Sequence, residues 1–306
     1  MTDKVAEPKR PSAELDTLEL YRWAVQDPET HATVLRLMYE RLHPGRTPTL
    51  LREDFAGTRA EAVAWLALAP GRRAIAVDSE APTVAWARRC AERILGARAA
   101  DLQFIEADVM ATAPPAVAAA HILSVLNFSL LYLREPAQLQ ACLRHAWHCL
   151  ASAGLLVLNL FGGAGALKPH TDRHPVTPQP RRASVAAIAP FECQWEQRHV
   201  DARTRLIDCR IHFRTADPGR PGAFNELRNA FRCDWRLWSL AELIAGLQAA
   251  GFDEVQVWRH THDAARGAAW LFLGQVPLTV FDKLDLWTAY VVASRGDRPA
   301  RSPSVA

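Results

Sequence analysis

Four acidic or amide residues follow closely on short apolar runs in the first half of the sequence: Glu53, Asp78, Asp108 and Asn127. If those runs are parallel strands, the four residues line the carboxyl edge of one sheet, where open α/β sheets bind ligands. A carboxylate after the second strand can accept hydrogen bonds from both hydroxyls of a ribose, because it has two oxygens. An acid after the third strand can accept from an adenine amine. The set predicts a nucleoside site, and Gly57 lets a ligand approach the backbone closely.

The elements that position these residues alternate regularly. Apolar runs predict strands at 49–53, 73–77, 102–105, 121–126 and 155–161, and helical patterns fill 60–69, 81–95 and 136–150. This alternation predicts a parallel sheet with helices on both faces. A helical segment, 15–42, precedes the first strand, and Asp27 is placed to cap a helix that begins at Pro28.

The pattern changes after Gly163. Residues 164–190 show no clear period, and three candidate strands follow at 191–200, 205–215 and 226–238, separated by turn residues. They predict an antiparallel meander. Ser239 then caps a predicted helix, 241–250, which Gly251 ends, and strands at 253–260 and 287–293 are placed to complete the first sheet.

Composition narrows the class of protein. The 306 residues carry 36 basic and 33 acidic side chains, a formal charge of +3, which gives no strong attraction to nucleic acid or membrane. The polar start and the lack of a long apolar run predict a cytoplasmic protein without a signal peptide or membrane span. Six cysteines form no CxxC pair. Cys142, His145 and Cys149 can share one helix face, but we expect no metal site, since structural zinc usually has four ligands.

Six segments carry a resemblance to a known family. The segments LREDFAGT (51–58), AVDSE (76–80) and EADVM (106–110) resemble the first three motifs of class I S-adenosylmethionine-dependent methyltransferases. LNFSLLYL (126–133), LVLNLFGG (156–163) and CDWRLWS (233–239) are similar to a subgroup with REDF-x-GT, NFS and DWRLW motifs. The sequence departs from the family at two loop positions, where Phe55 and Arg59 replace glycines.

The resemblance implies a fold and a domain plan. The fold is a Rossmann-like sheet of seven strands, mostly parallel, with an inserted antiparallel β lid. The methyltransferase domain would comprise residues 15–162 and 239–294, and the lid would comprise 163–238. Residues 1–14 and 295–306 are predicted to be disordered.

The resemblance also implies roles for individual residues toward S-adenosylmethionine. Glu53 and Gly57 would flank the amino-acid part of this methyl donor. The other implied roles are a carboxylate partner (Arg52), a ribose acceptor (Asp78), adenine contacts (Asp108 and Val109), a residue beside the methyl group (Asn127) and a cover over the donor (Tyr21 and Gln26).

The predicted lid is the candidate for acceptor binding. Between Gly162 and Trp238 the sequence has 13 Lys or Arg against 8 Asp or Glu. Trp195, Trp235 and Arg236 would form an aromatic and basic wall for the acceptor, with Asp234 or Glu196 as a general base. The alternative is that both tryptophans pack the meander on the core and the arginines line a solvated face.

The sequence therefore predicts methyl transfer from S-adenosylmethionine to nitrogen, oxygen or sulfur of a small molecule, by a monomer or homodimer. One alternative is an RNA or protein methyltransferase, although the sequence has no base-flipping motif after Asn127 and no appended RNA module. A second is a non-catalytic donor-binding or scaffold protein. Dinucleotide binding is a weaker alternative, because G-x-G-x-x-G is absent.

Overall fold

A computed structural model describes residues 16–112, 119–178, 188–217, 219–262 and 271–296. The predicted disordered start, 1–14, lies outside these residues, and so does the tail after Gly296. No helix in the described part of the chain combines the length and apolar character that crossing a membrane requires.

The larger sheet has eight strands in the order β11-β10-β12-β5-β4-β1-β2-β3. The strands are β1 (Leu50–Asp54), β2 (Arg73–Asp78), β3 (Leu102–Glu106), β4 (Ala120–Val125), β5 (Leu150–Gly162), β10 (Glu254–His262), β11 (Leu271–Gln275) and β12 (Trp287–Ser294). Strands β1 to β5 pair in parallel, and β12, β10 and β11 extend the sheet antiparallel. The predicted Rossmann-like sheet with mostly parallel strands is confirmed, but the predicted number of seven strands is wrong. The eighth is β11, a five-residue edge strand too short to show a period.

Six helices accompany the strands: α1 (Thr17–Val25), α2 (Pro28–Leu42), α3 (Ala60–Leu68), α4 (Ala81–Leu95), α5 (Pro136–Cys149) and α6 (Leu240–Ala250). The side chain of Ser239 caps α6 in a reciprocal pair with Glu242, and Gly251 ends that helix in the left-handed conformation, as predicted. Asp27 precedes α2 but makes no side-chain cap bond. The helical segment 15–42 consists of two helices separated by Gln26 and Asp27, and the predicted helix start at Pro28 is confirmed.

Both faces of the parallel strands are buried. In β4, Ile122 packs into one apolar cluster and Leu123 into another, because neighbouring residues of a strand point to opposite faces. One cluster includes the inner faces of α2 and α3, and the other includes α5 and α6. The strands are thus fixed from both sides, which holds their carboxyl ends in register.

The second sheet is antiparallel and has the order β6-β7-β8-β9. Its strands are β6 (His170–Val176), β7 (Phe191–Val200), β8 (Leu206–Ala216) and β9 (Phe224–Arg236). The meander was predicted, but β6 was not, because its sequence HTDRHPV is polar and contains Pro175; proline is tolerated on an edge strand. One half of the inner face joins the core of the larger sheet through Cys209 and Trp235, and the other half packs against α1 through Phe213.

Candidate functional site

The carboxyl edge of the parallel strands carries unusual backbone conformations. Phe55 and Arg59, after β1, have φ angles of 56° and 57°, and Asn127 and Phe128, after β4, have φ angles of 53° and 60°. L-residues rarely adopt this left-handed region, and residues that do so cluster at functional sites. Four of the seven non-glycine residues with positive φ in the described chain therefore lie at the edge that the sequence predicted as the site.

Asp78 and Gly57 are in direct contact at this edge. The Gly57 amide donates to Asp78 Oδ2 at 2.7 Å, and the Glu80 amide donates to Asp78 Oδ1 at 2.9 Å. A carboxylate has about four acceptor sites, so each oxygen keeps capacity for a ligand hydroxyl. Gly57 has a φ of 47°, and a Cβ added there would meet no atom within 4 Å. The space above Gly57 is open to a ligand.

Asp108 follows β3 and is exposed. Its Oδ1 accepts a hydrogen bond from the Met110 amide at 2.8 Å. The side chain of Val109, by contrast, is buried in the core cluster that contains Leu130 and Leu131. Asp108 can therefore offer a carboxylate to a ligand, whereas Val109 can offer only its backbone.

A buried polar network joins β1, α2, α3 and the turn after β4. Glu61 Oε1 accepts from Asn127 Nδ2 at 2.9 Å and lies 3.0 Å from His31 Nδ1. Glu53 Oε2 accepts from the Ala62 amide at 3.0 Å, and burial together with the nearby Glu61 carboxylate raises the pKa of Glu53 well above its ordinary value. The network fixes the side chain of Asn127 at the strand edge.

Asn159 supports the same turn from β5. Its Oδ1 accepts from the Phe128 amide at 2.9 Å, although β5 is otherwise apolar there. The two consecutive left-handed residues, Asn127 and Phe128, are thus held by a side-chain bond on one and a main-chain bond on the other.

Arg59 is completely buried beside this edge. Its guanidinium carbon lies 5.0 Å from the centre of the Phe104 ring, and its Nη1 donates to the Gly57 carbonyl at 3.3 Å. Burial lowers the pKa of Arg59, and the nearby Glu53 and Asp78 carboxylates oppose that effect. A positive charge therefore lies behind the loop that contains Gly57.

Arg52 lies in an internal ion pair. Its Nε donates to Asp54 Oδ1 at 2.7 Å and its Nη2 to Thr112 Oγ1 at 2.9 Å, and both Arg52 and Asp54 are buried. Burial raises the pKa of Asp54 to about 6, against the opposing effect of Arg52. Two of the three guanidinium nitrogens thus bond protein groups, and Nη1 is buried without a partner among the described residues.

Of the three α5 residues that can share one helix face, Cys142, His145 and Cys149, the last two are in contact. His145 Nε2 lies 3.3 Å from Cys149 Sγ and 3.2 Å from Thr112 Oγ1, and Arg52 Nη2 lies 3.4 Å from the same nitrogen. Burial and the Arg52 charge lower the pKa of His145 to about 4. An arginine this close opposes a cation. The described residues contain no group of three or more His, Cys, Asp and Glu that could hold one.

Helix α1 reaches both the strand edge and the second sheet. Gln26 Oε1, just after α1, accepts from Thr58 Oγ1 at 2.6 Å. Tyr21 is half-buried, and its ring centre lies 4.7 Å from that of Phe231 on β9. Of the two residues expected to cover the donor, Gln26 is therefore adjacent to the loop that contains Gly57, and Tyr21 is adjacent to the second sheet.

An aromatic cluster lies where the second sheet meets the turn after β4. Trp235 is buried, with ring centres 5.6 Å from Trp195, 6.4 Å from Phe128 and 6.2 Å from Phe161. Tyr132 is half exposed at the border of the cluster, 5.6 Å from Trp235. The structure thus brings Trp195 and Trp235 together next to Asn127.

The two predicted general bases, Glu196 and Asp234, lie on the face of the second sheet opposite to the aromatic cluster. Along β7 and β9, Glu196 and Asp234 alternate with Trp195 and Trp235, so they occupy the outer face of the second sheet. Glu196 bonds Arg198 at 2.8 Å and His212 at 3.0 Å, in a polar cavity of about 250 Å³, and Asp234 pairs with Arg210 at 3.3 Å.

The side chain of Arg236 contacts other residues of the protein on β9, α6 and the segment before α5. Its guanidinium stacks 4.0 Å from the centre of the Trp238 ring and donates to the Arg134 carbonyl at 3.1 Å. It also reaches Glu242 Oε1 at 3.4 Å. The residue therefore joins β9 to the start of α6.

The sequence did not single out Glu61, His31 or Asn159. Asn159 left a signal, since it is the one polar residue in the run LLVLNLF. Glu61 and His31 left none, because nothing in a single sequence shows which face of α3 meets which face of α2.

No model of a known protein family matches the sequence, and no curated protein matches it either. Solved structures do resemble this one. An amino pentose methyltransferase from Micromonospora echinaspora, CalS10, superposes with a TM-score of 0.60 at 14% identity, covering 94% of this chain and 99% of that one. The sugar N-methyltransferase KedS8 from Streptoalloteichus sp. ATCC 53650 gives a TM-score of 0.60 at 18% identity, with coverage of 97% and 99%.

A third similar structure is an S-adenosylmethionine-dependent methyltransferase from Clostridium acetobutylicum ATCC 824. It gives a TM-score of 0.59 at 10% identity and covers 90% of this chain and 96% of that one. Together with the strand order and the four-stranded second sheet, these likenesses show that the chain has the Rossmann-like fold of class I methyltransferases.

Proposed function

We propose that this protein transfers a methyl group from S-adenosylmethionine to a small-molecule acceptor. The observation that carries the proposal is the pairing of Asp78 with Gly57 at the carboxyl edge of β2. It presents a carboxylate with free acceptor capacity beside an open glycine backbone. This arrangement fits the ribose of a nucleoside, and S-adenosylmethionine supplies a methyl group already activated by its sulfonium sulfur.

We assign the remaining donor contacts to residues of the same edge. Asp108 offers an oxygen toward the adenine, and Glu53 and Gly57 flank the amino-acid end. Asn127 is fixed by Glu61 and lies next to the aromatic cluster, so its turn separates the donor from the acceptor. Arg52 is buried and bonds Asp54 and Thr112 through Nε and Nη2, while its Nη1 has no partner among the described residues, so we assign it mainly the role of holding β1 rather than the donor carboxylate.

The acceptor site that we propose lies between this turn and the second sheet. Trp195, Trp235 and the exposed side of Tyr132 provide aromatic surface beside Asn127. CalS10 and KedS8, whose names describe them as amino pentose and sugar N-methyltransferases, cover nearly the whole chain in superposition, which favours an amino sugar or similar amine as acceptor. Glu196 and Asp234 lie on the outer face, so we propose no part for them in the transfer. An amine whose lone pair is already free needs no base.

Titration calorimetry with S-adenosylhomocysteine tests donor binding. We expect micromolar affinity in the wild type and a loss of about 100-fold in Asp78→Ala, because two hydrogen bonds to a charged group contribute about 3 kcal/mol. Asp172→Ala removes an exposed carboxylate on β6 and should leave the affinity unchanged. If the wild type does not bind S-adenosylhomocysteine, the proposed function is wrong.

Methyl-labelled donor identifies the acceptor class. Incubation with amino sugars, bulk RNA and a protein extract should label the amino sugars alone. Salt-sensitive labelling of RNA would instead establish the nucleic-acid alternative, since binding to phosphates weakens with salt. Donor binding without any labelled product from small molecules, RNA or protein would favour the non-catalytic alternative.

A further inference from the structure

The side-chain amide of Asn127 is held from one side by a buried carboxyl group. Glu61, the second residue of α3, is fully buried, and its Oε1 accepts a hydrogen bond from Asn127 Nδ2 at 2.9 Å. The same oxygen lies 3.0 Å from His31 Nδ1 on α2. The two lone pairs of Oε1 thus face two nitrogens, one from the turn after β4 and one from α2.

This contact determines which way round the amide of Asn127 lies. A carboxylate has only acceptor oxygens, so it faces the NH2 group of an asparagine and not its carbonyl oxygen. Burial acts to raise the pKa of Glu61, but its hydrogen-bond partners, His31 first among them, lower it overall, which favours the carboxylate. Turning the amide over would place Asn127 Oδ1 against Glu61 Oε1, two oxygens without a proton between them. The orientation is therefore fixed by Glu61.

The oxygen of the same amide is left for a ligand. Asn127 Oδ1 has no hydrogen-bond partner among the described residues, and it is not one of their enclosed polar atoms. The residue is half-buried and precedes Phe128, whose ring centre lies 6.4 Å from that of Trp235. The turn after β4 thus presents an uncharged acceptor oxygen beside the aromatic cluster, where we place the methyl acceptor.

We propose that Glu61 positions Asn127 so that the amide oxygen accepts a hydrogen bond from the N–H of the acceptor amine, which restricts transfer to primary and secondary amines. This inference rests on the proposed function and names the substrate class of the same site. With one N–H held by Oδ1, the nitrogen lone pair is directed toward the methyl group. The lone pair forms the new C–N bond, the methyl–sulfur bond breaks, and its electron pair stays on sulfur.

The number of methyl groups that one nitrogen receives follows from this bond. A primary amine that gains a methyl group and then loses one proton to the solvent is a secondary amine, which still carries an N–H. A second transfer gives a tertiary amine, whose neutral form has no N–H for Oδ1. The positive charge that develops on nitrogen strengthens the N–H···O bond during transfer, so its absence slows that step. We therefore expect monomethyl and dimethyl products and no quaternary ammonium.

Nuclear magnetic resonance tests the positioning without any acceptor. The chain has four asparagines, so isotope-labelled asparagine gives four side-chain amide pairs, and Asn127→Asp assigns the pair of Asn127. In the wild type, one amide proton of Asn127 should resonate downfield of those of Asn225, which is exposed on β9, and should exchange more slowly with water, because a buried carboxylate holds it.

Two variants complete the spectroscopic test. In Glu61→Gln both differences from Asn225 should shrink, since an amide opposite Asn127 permits either orientation. Glu19→Gln is the matched control, because it removes another buried carboxylate, on α1, that does not bond Asn127. It should leave the Asn127 pair unchanged.

A matched series of acceptors tests the selectivity. D-Glucosamine, its N-methyl derivative and its N,N-dimethyl derivative present a primary, a secondary and a tertiary amine on one sugar. Methyl-labelled donor should give products from the first two, with kcat for the tertiary amine lower by about tenfold or more, the effect of one lost hydrogen bond. Glu61→Gln should lower kcat for the primary amine by about tenfold, with the affinity for S-adenosylhomocysteine unchanged.

A double variant separates positioning from a merely structural role. When Glu61→Gln is combined with Asn127→Asp, the new glutamine amide donates to one oxygen of the new aspartate, and the other oxygen again faces the acceptor. We expect this exchange to recover most of the activity on the primary amine that Glu61→Gln alone loses. Loss of packing at Glu61 would not be recovered by a change at Asn127.

Three results would overturn the inference: wild-type Asn127 amide resonances like those of Asn225, an Asn127 pair that does not change in Glu61→Gln, or equal kcat for the secondary and tertiary amines. If Glu61→Gln does not fold, the wild-type spectrum and the three acceptors still decide. A wild type that methylates none of the three amines would instead contradict the amino-sugar acceptor of the proposed function. The spectrum tests the positioning independently of that result, so the two failures are distinguishable.

Discussion

Asn159 shows how one side chain determines the conformation of a neighbouring turn. It lies in the buried part of β5 and accepts from the Phe128 amide, so two left-handed residues follow β4 without an unpaired amide there. Asn127 itself was predictable, because it follows an apolar run. Its conformation was not, because the bonds that maintain it come from β5 and α3, which are distant in sequence.

Replacing Asn159 by alanine should therefore destabilise the protein by about 1–3 kcal/mol, the cost of a buried amide without an acceptor. Urea denaturation measures the change. Asn225→Ala, at an exposed position on β9, should stay within about 0.5 kcal/mol of the wild type. Equal losses in both variants would mean that the Asn159 bond contributes nothing specific.

His145 gives the stability a pH dependence. Its pKa is lowered to about 4 in the folded protein, whereas an unfolded histidine has a pKa near 6.5. The folded state favours the neutral ring, so this contribution is present above pH 6.5 and is lost as the pH falls toward 4. Denaturation midpoints between these values should decrease less steeply in His145→Gln. His199→Gln, at an exposed position on β7, should follow the wild type.

At the scale of elements, α1 is the link between the strand edge and the second sheet. Leu20 is buried against Phe191 and Phe213, and Gln26 bonds the loop at Thr58. The helix was predictable from its spacing, but its docking was not, because its partner strands β7 and β8 begin only at Phe191 and Leu206.

Leu20→Ala should loosen α1 without unfolding the parallel strands. Large-to-small changes in a core cost about 2–5 kcal/mol, and here the loss falls on one peripheral cluster. Hydrogen exchange should show faster amide exchange in α1 and in the middle of β7 and β8, with β1 and β4 unchanged. Val25→Ala alters an exposed residue of the same helix and should give the wild-type pattern. Uniformly faster exchange in Leu20→Ala would contradict a peripheral role.

At the scale of the molecule, the two sheets share one apolar core. Trp235 packs among Phe128 and Phe161, and the same cluster extends to Leu123 and Leu143. The order of strands and helices was readable from the sequence, because buried parallel strands leave continuous apolar runs. The edge strands β6 and β11 could not be recognised in the sequence, because the residues of β6 are mostly polar and β11 has only five residues. Pairing with the neighbouring strands, rather than a sequence pattern, makes these segments strands.

The shared core predicts a single unfolding transition, seen alike by tryptophan fluorescence and by far-ultraviolet circular dichroism. Trp235→Ala should cost about 3–5 kcal/mol and separate the two signals, since the second sheet then loses its main anchor. Trp235→Phe keeps a ring at this position and should retain one transition. Two transitions in the wild type would show that the sheets unfold independently.

The left-handed residues have a consequence for engineering. Each non-glycine residue in this region carries a conformational cost of about 1 kcal/mol or more, and a glycine there is free of it. Ala153 has a φ of 59° and is remote from the strand edge of the site, so Ala153→Gly is a route to higher thermal tolerance that leaves the donor contacts alone. The same exchange at Asn127 would remove the side chain that Glu61 holds. The protein thus has strain that can be removed and strain that its proposed chemistry requires.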